Sequence, residues 1–323
     1  MMKRPPSYIS NIKAWLILAL ASVCLICFDA VTSVFLQGMF NSSSYNFARE
    51  LERTNSDTII IGSSTAARGI DPVAFDAVLG TKTYSFAKDG TGIFYATSVL
   101  RNIPKSYKLR YVVFGIDPAS FVSGFSSSNF KQIERLLPYV DQDNLLRSYL
   151  DQQISWLSLK MLSSSYRYIY VAKEIFKDLL RLNATDQNGF IPLDGAMEPK
   201  KWVKEANKTS SQANVYQMAD ETFQALEAMR FEINQRDARL VLVTLPIYNE
   251  SLRSRRSENA IIMSNIKASL SGNFLCDLSE LWSPEISSIT LNSRMFYDSA
   301  HLNKEGSAKF THNFAKNIEA LCL

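Results

Sequence analysis

The sequence predicts an α/β fold, a parallel sheet with helices on both faces, preceded by an N-terminal transmembrane helix and interrupted by an α-rich insertion. Three observations carry this reading. From residue 57 onward, short β-branched runs alternate with helix-length segments, the pattern of a parallel sheet covered on both sides. Between Ala14 and Phe40 the only charged residue is Asp29. Across about residues 119–215 the strand–helix rhythm stops and gives way to Ser-, Tyr-, Leu- and Gln-rich sequence.

The N-terminal run is long enough to cross a bilayer, for which about 20 apolar residues suffice. Lys3, Arg4 and Lys13 precede it, and Glu50 and Glu52 follow. The positive-inside rule then assigns residues 1–13 to the cytoplasm, 14–40 to a transmembrane anchor and everything later to the far side of the inner (cytoplasmic) membrane. Ala19-Leu20-Ala21 resembles a signal-peptide cleavage site, but the apolar run continues well beyond it, which favours a retained anchor. Asp29 is costly in lipid, so it belongs near the outer interface or against a polar group. Residues 41–56 are polar and Ser-rich and read as a stalk. Residues 57–323 then form the α/β domain, with the insertion at about 119–215.

Within that domain the expected strands are Asp57–Gly62, Thr83–Phe86, Arg110–Gly115, Arg239–Leu245 and, more weakly, Phe274–Leu278. The expected helices are Pro72–Leu79, Ile93–Asn102, Met218–Arg236 and Ala260–Ser269. Met218–Arg236 carries Phe223, Leu226, Met229, Phe231 and Ile233 among charges, an amphipathic pattern. The insertion holds a helical hairpin and ends in a loop, Asn188–Gly195. It is expected over one end of the sheet, where such folds place substrate-binding elements.

Composition narrows the function classes. A formal net charge of +4 on 323 residues is small. The basic clusters (Lys200, Lys201, Lys204; Arg253, Arg255, Arg256) lack the interleaved aromatics of a nucleic-acid groove, so no nucleic-acid partner is expected. Two histidines and dispersed cysteines argue against a zinc site, and neither a metal nor a cofactor is expected. Cys24 and Cys27 lie in the apolar run. Cys276 and Cys322 are able to pair in an oxidising compartment.

With only His301 and His312 present, the candidates for imidazole base catalysis are nearly exhausted. His301 follows Asp298 by three residues, which puts carboxylate and imidazole on one side of a tight loop. There the carboxylate fixes the tautomer and stabilises the imidazolium that forms when the other nitrogen takes a proton. Asn303 is a natural N-cap for the helix that opens near Lys304. His312 has no acidic neighbour close in sequence and reads as a surface residue. The nucleophile candidate is a serine at the first strand-to-helix junction, Ile61-Gly62-Ser63-Ser64-Thr65, at the carboxyl end of a parallel strand.

These two motifs together resemble the SGNH (GDSL-like) hydrolase superfamily, which pairs a nucleophilic serine after the first strand with an Asp-x-x-His near the C-terminus. The resemblance covers about residues 57–118 and 237–318 and implies a three-layer α/β/α, flavodoxin-like fold. It selects Ser64 as nucleophile, with Ser63 at the family's aspartate position and as runner-up. For the oxyanion hole it implies the Ser64 N–H and Gly90, with Gly92 and Asp117 as alternatives. Asp117 stands where the family often has asparagine, and a carboxylate donates no hydrogen bond unless protonated. Arg68, just past the nucleophile, either holds an anionic substrate group or makes a salt bridge. Asp71 and Asp117 both sit in Gly-Ile-Asp-Pro and read as turn formers. The N-terminal anchor, Gly-Ser-Ser and the paired Gly-Ile-Asp-Pro segments are similar to the DltD-type and alginate O-acetylation-type envelope proteins. That similarity implies an acyl donor, an envelope polysaccharide acceptor and a membrane-bound O-acyltransferase partner. The competing expectations are an esterase or deacetylase using the same residues, and a non-catalytic partner of that acyltransferase.

Overall fold

The computed structural model describes residues 8–117, 121, 133–180, 188–198, 218–248, 256–280 and 284–322. Lys3 and Arg4, the basic clusters at 200–204 and 253–255, and residues 181–187 and 199–215 of the insertion lie outside them.

The chain opens with one long helix, α1 (Tyr8–Asn41), whose stretch Ile12–Asn41 is long and apolar enough to be a membrane span or a signal sequence. From Ile12 to Phe28 its side chains are exposed. Asp29, Thr32, Ser33, Leu36, Met39 and Phe40 form a stripe at helical spacing that faces the rest of the protein. The next segment, expected as a stalk, is instead part of the fold. Helix α2 (Phe47–Thr54) is capped by Asn46, whose side chain accepts from the Arg49 N–H. It buries Phe47 and Leu51 at i, i+4 spacing. Phe47 stacks on Tyr139 and meets Phe86 edge-on, with centroids 4.8 and 5.1 Å apart. Two apolar residues among eight are too few for a periodicity signal, yet they suffice to bind the helix down.

Five parallel strands follow: β1 (Thr58–Gly62), β2 (Thr83–Ser85), β3 (Tyr111–Ile116), β4 (Arg239–Thr244) and β5 (Leu275–Asp277), in spatial order β2-β1-β3-β4-β5. Four lie within the sequence-predicted runs, trimmed at the ends, and β3 starts one residue later than expected and runs one residue further, to Ile116. Alternate side chains enter two separate cores, as a sheet buried on both faces requires. Ile59, Ile61, Val112, Phe114, Leu240 and Leu242 point to one side. Ile60, Val113, Val241 and Val243 point to the other.

On the second side lie α3 (Ser64–Gly69) and α4 (Pro72–Leu79). The first core is covered by α5 (Ile93–Asn102) and by the insertion. Helices α4 and α5 have the bounds the sequence predicts. The Gly69-Ile-Asp-Pro segment joins α3 to α4. Asp71 caps α4 there by accepting from the Val73 N–H at 2.9 Å.

The described insertion is α-rich, with a 3₁₀ turn at Glu134–Tyr139, then α6 (Asn144–Gln153), α7 (Leu157–Lys160), a 3₁₀ turn at Tyr166–Tyr168, and α8 (Ala172–Leu179). It was expected over the end of the sheet, but its helices lie on the flank. Leu146, Tyr149 and Leu150 of α6 are buried in the first core, with Phe94 of α5 edge-on to Tyr149 at 4.9 Å, and α8 lies along α1. Among its described residues, Asn188–Glu198 reaches the sheet's end, where the Ser85 N–H donates to the Asn188 carbonyl, and Phe121 is buried there beside Gly62, Ser63 and Gly115.

The chain closes with α9 (Asp220–Gln235) and α10 (Arg256–Ser269) on the first core, then α11 (Pro284–Thr290) and α12 (Lys304–Cys322) on the second. Cys276 of β5 and Cys322 of α12 form a disulfide with Cα atoms 5.7 Å apart.

Two outcomes follow from this packing. Leu51→Ala is expected to lower the unfolding free energy by about 2–5 kcal/mol in urea titration, the cost of emptying a fully buried leucine site; an extended stalk would tolerate it. Replacing Cys276 and Cys322 by alanine is expected to cost about 4 kcal/mol, the loop entropy released when residues separated by 46 positions are uncoupled.

Candidate active site

The site forms where β1 ends. Gly62 pairs with Gly115 across β1 and β3, and α3 passes over both through Ala66. A Cβ on Gly62 would overlap the Gly115 carbonyl oxygen, and one on Gly115 would overlap the Ala66 methyl. Gly62 also has φ +141°, a region closed to most side chains. The glycine ahead of the two serines is thus required by close approach. The chain turns at Ser63, in extended conformation, and Ser64 becomes the first residue of α3.

The histidine comes from the loop between α11 and α12. Phe296 and Leu302 bridge the loop's two arms, and the Tyr297 N–H donates to the His301 carbonyl at 2.9 Å. Inside it the Asp298 carboxylate accepts from the Ala300 and His301 N–H groups, both at 2.8 Å, and lies 2.8–2.9 Å from His301 Nδ1. Asn303 buries its amide just beyond and caps α12 by accepting from the Gly306 N–H at 2.9 Å. Tyr248, after β4, donates its N–H to the Ser299 carbonyl.

The two halves meet. His301 Nε2 lies 2.8 Å from Ser64 Oγ, although 237 positions separate the residues. Burial by itself would raise the Asp298 carboxyl. Hydrogen bonds from the His301 ring and from the Ala300 and His301 N–H groups, with the charge of the ring, outweigh burial and hold it below the usual carboxylate range. Asp298 is therefore an acceptor only, Nδ1 carries the proton that faces it, and Nε2 is left to accept from the Ser64 hydroxyl. Ser64 is half-buried, and the His301 and Asp298 side chains are about a quarter exposed. The set is open to solvent on one side and shaped to take a proton from Ser64.

The other sequence candidates divide. Ser63 is buried with its hydroxyl 3.1 Å from that of Thr65, so it faces away from the imidazole. Gly92 lines a narrow depression with Gly62, Ser63, Gly115, Asp117 and Phe121, whereas Gly90 turns the neighbouring loop. Arg68 does not stand open to a ligand. Its guanidinium holds Asp89 through two hydrogen bonds, 3.1 and 2.5 Å, and donates to the Ile191 carbonyl at 2.8 Å. It thereby ties the loop after β2 and the returning end of the insertion to α3. His312 is exposed on α12. Among the described residues no group of three or more His, Cys, Asp or Glu side chains is placed to hold a metal ion.

Sequence reasoning missed Thr91 and Tyr248. The Thr91 hydroxyl lies 2.8 Å from the carbonyl oxygens of both Gly62 and Lys88, pinning the depression's rim to the turn before Ser64. Neither residue carries a local signal, because each matters only through a partner distant in sequence. Compared with protein-family models and with curated proteins, the chain matches none.

The Asp298 network predicts a pH dependence. In the unfolded chain this carboxyl titrates near 4, and in the folded protein lower. Its stabilising contribution is therefore complete above about pH 4 and is lost as pH falls through the lower, folded value. The stability gap between wild type and Asp298→Asn, from urea unfolding at pH 6 and pH 3, is expected to narrow at pH 3; a gap that is constant or wider at pH 3 would contradict the assignment.

Proposed function

We propose that this chain is a membrane-anchored, extracytoplasmic serine acyltransferase with a three-layer SGNH-like fold, acting in O-acetylation of a cell-envelope polysaccharide. The observation that carries the proposal is the 2.8 Å contact between Ser64 Oγ and His301 Nε2, with Nδ1 of the same ring on Asp298. A serine, a histidine and an aspartate so connected have one economical use, which is nucleophilic attack on an ester. Their location supports it: the 2-1-3-4-5 strand order reverses between β1 and β3, and ligands of such sheets bind beyond the carboxyl ends at that point.

In this reading His301 accepts the Ser64 proton as Oγ attacks the carbonyl of an acyl donor. The Ser64 N–H, on the first turn of α3 and so without an intrahelical acceptor, together with the Gly92 N–H, steadies the oxyanion. His301 then returns the proton to the leaving alkoxide, and an acyl-serine remains. A sugar hydroxyl of the polysaccharide enters next, loses its proton to His301 and takes the acyl group, and His301 passes that proton to Ser64 Oγ as the acyl–serine bond breaks. Asp298 stays ionised throughout and balances the imidazolium. Asp117, acceptor-only when ionised, is better suited to orienting the acceptor hydroxyl than to binding an oxyanion.

The placement outside the cytoplasm rests on the positive residues before α1 and is supported by the Cys276–Cys322 disulfide, a bond that persists in oxidising compartments. A donor delivered through a membrane-bound O-acyltransferase partner fits an enzyme tethered at the bilayer. The assembled Ser–His–Asp set favours catalysis over a binding-only role.

Fluorophosphonate labelling tests the nucleophile. Wild type and Ser63→Ala should label, Ser64→Ala should not, and His301→Ala should react slower by on the order of 10³-fold or more. Labelling that survives Ser64→Ala would sink the assignment. With an activated acetyl ester as donor, acetylated polysaccharide marks a transferase. Release of acetate alone, with polymer present, marks an esterase.

A further inference from the structure

Exposed apolar side chains off α1 concentrate in one stretch of the insertion. Trp156, Leu159, Leu162, Ile169, Phe176 and Leu180 are each 52–77% exposed within 25 residues. Elsewhere among the described residues outside α1, large exposed apolar side chains occur singly on separate elements, which is ordinary for a protein surface. Around α8 buried and exposed positions separate. Val171 and Ile175 are buried, whereas Phe176 on the helix and Ile169 and Leu180 on either side of it are exposed. Trp156 holds its indole 77% exposed from a left-handed backbone, φ +63°. That conformation costs on the order of 1 kcal/mol for a residue with a side chain.

This stretch is fastened to α1. The Asp29 carboxylate accepts from the Ser163 hydroxyl at 2.6 Å, the Ser164 N–H at 2.7 Å, and the hydroxyl and N–H of Ser165 at 2.5 and 3.3 Å. The depth of that clasp follows from helix geometry. Lys13 is the last charged residue before the apolar run. About 20 residues are needed to cross the hydrocarbon, so a span beginning at Ala14 ends near Ser33, four positions and roughly 6 Å beyond Asp29. Val31, Val34 and Phe35, on the side of α1 turned away from the domain, are 63–71% exposed and extend the apolar surface past the clasp. A turn fixed at Asp29 therefore lies about 6 Å inside the hydrocarbon boundary, at the depth of the upper acyl chains, and four hydrogen bonds explain how a carboxylate is tolerated there.

We propose that Trp156–Leu180 is a membrane-docking element, whose exposed apolar side chains enter the headgroup and upper acyl-chain region of the leaflet beside α1. The occupant is lipid. The patch is continuous with a helix of membrane-spanning length, and it mixes a tryptophan and aliphatics with the exposed Lys160 and Lys173, the composition of interfacial segments. The domain is then seated on the bilayer rather than held off it, and the insertion sets the orientation of the site. This inference rests on α1 being a retained span.

The test uses the full-length chain in phosphatidylethanolamine/phosphatidylglycerol liposomes, with an environment-sensitive fluorophore on single thiols and nitroxide lipids labelled high on the acyl chain. In a Cys24→Ser/Cys27→Ser background with the disulfide intact, Leu159→Cys, Leu162→Cys and Phe176→Cys report the patch. Glu319→Cys, on α12 across the sheet, reports water, and native Cys24 in Cys27→Ser reports the span. Fluorophosphonate labelling verifies that each variant is folded. Quenching at 159, 162 and 176 is expected to be several-fold above that at 319 and comparable to Cys24. Quenching at Cys24 with 159, 162 and 176 resembling 319 overturns the docking element and leaves the anchor standing. Absence of quenching at Cys24 overturns the anchor, and the docking element with it. Shielding of the patch only after a polytopic membrane protein is co-reconstituted assigns it to a protein partner and overturns the lipid assignment.

Discussion

Two glycines facing each other across β1 and β3 set how closely α3 can lie on the sheet. Gly62 and Gly115 are paired in register, and Ala66 of α3 rests against both. A side chain at either position would push the helix outward by roughly the length of a carbon–carbon bond, 1.5 Å. A 2.8 Å hydrogen bond from Ser64 to His301 does not survive a displacement of that size. The position of Ser64 and the depression lined by Gly92 and Asp117 both follow from this contact.

The imidazole must be held as firmly from the other side. Its loop is bridged at Phe296 and Leu302, joined to the sheet through Tyr248, and followed by an α12 that starts on the buried Asn303 cap. Phe310 and Phe314 of α12 stack, and Phe314 packs on Phe75 of α4. The end of the insertion adds a strap across both halves. Its Ile191 carbonyl meets Arg68, its Leu193 carbonyl accepts from the Lys304 N–H, and its Gly195 carbonyl accepts from Asn303. A segment read as a simple loop is thus part of what keeps Ser64 and His301 in register.

Much of this was legible beforehand. The strands read clearly because a strand buried on both faces must be apolar at nearly every position, as Thr58–Gly62 and Tyr111–Ile116 are. Helix α4 carries its own signals, Asp71 and Pro72 at the start and Gly80 in a left-handed cap at the end. Helix α2 hid because its burial depends on only Phe47 and Leu51, among residues that otherwise spell a linker. The insertion was recognised as helical, but the packing of its described helices on the flank was not, since an amphipathic helix states which face it buries and not what it buries against.

The same distinction separates the two halves of the site. The sequence alone determined Asp298 and His301 as a unit, because three positions in a tight turn leave a carboxylate and an imidazole little choice but to meet. It also determined that a glycine-led serine would stand at the end of the first strand. Only the tertiary structure decided that Ser64 rather than Ser63 faces the ring, that Arg68 is spent on Asp89 and Ile191, and that Asp29 is clasped by Ser163–Ser165. Each of those is a contact between residues 21 or more positions apart. Its geometry is fixed by how whole elements pack against the two cores, and no local pattern of residues encodes it.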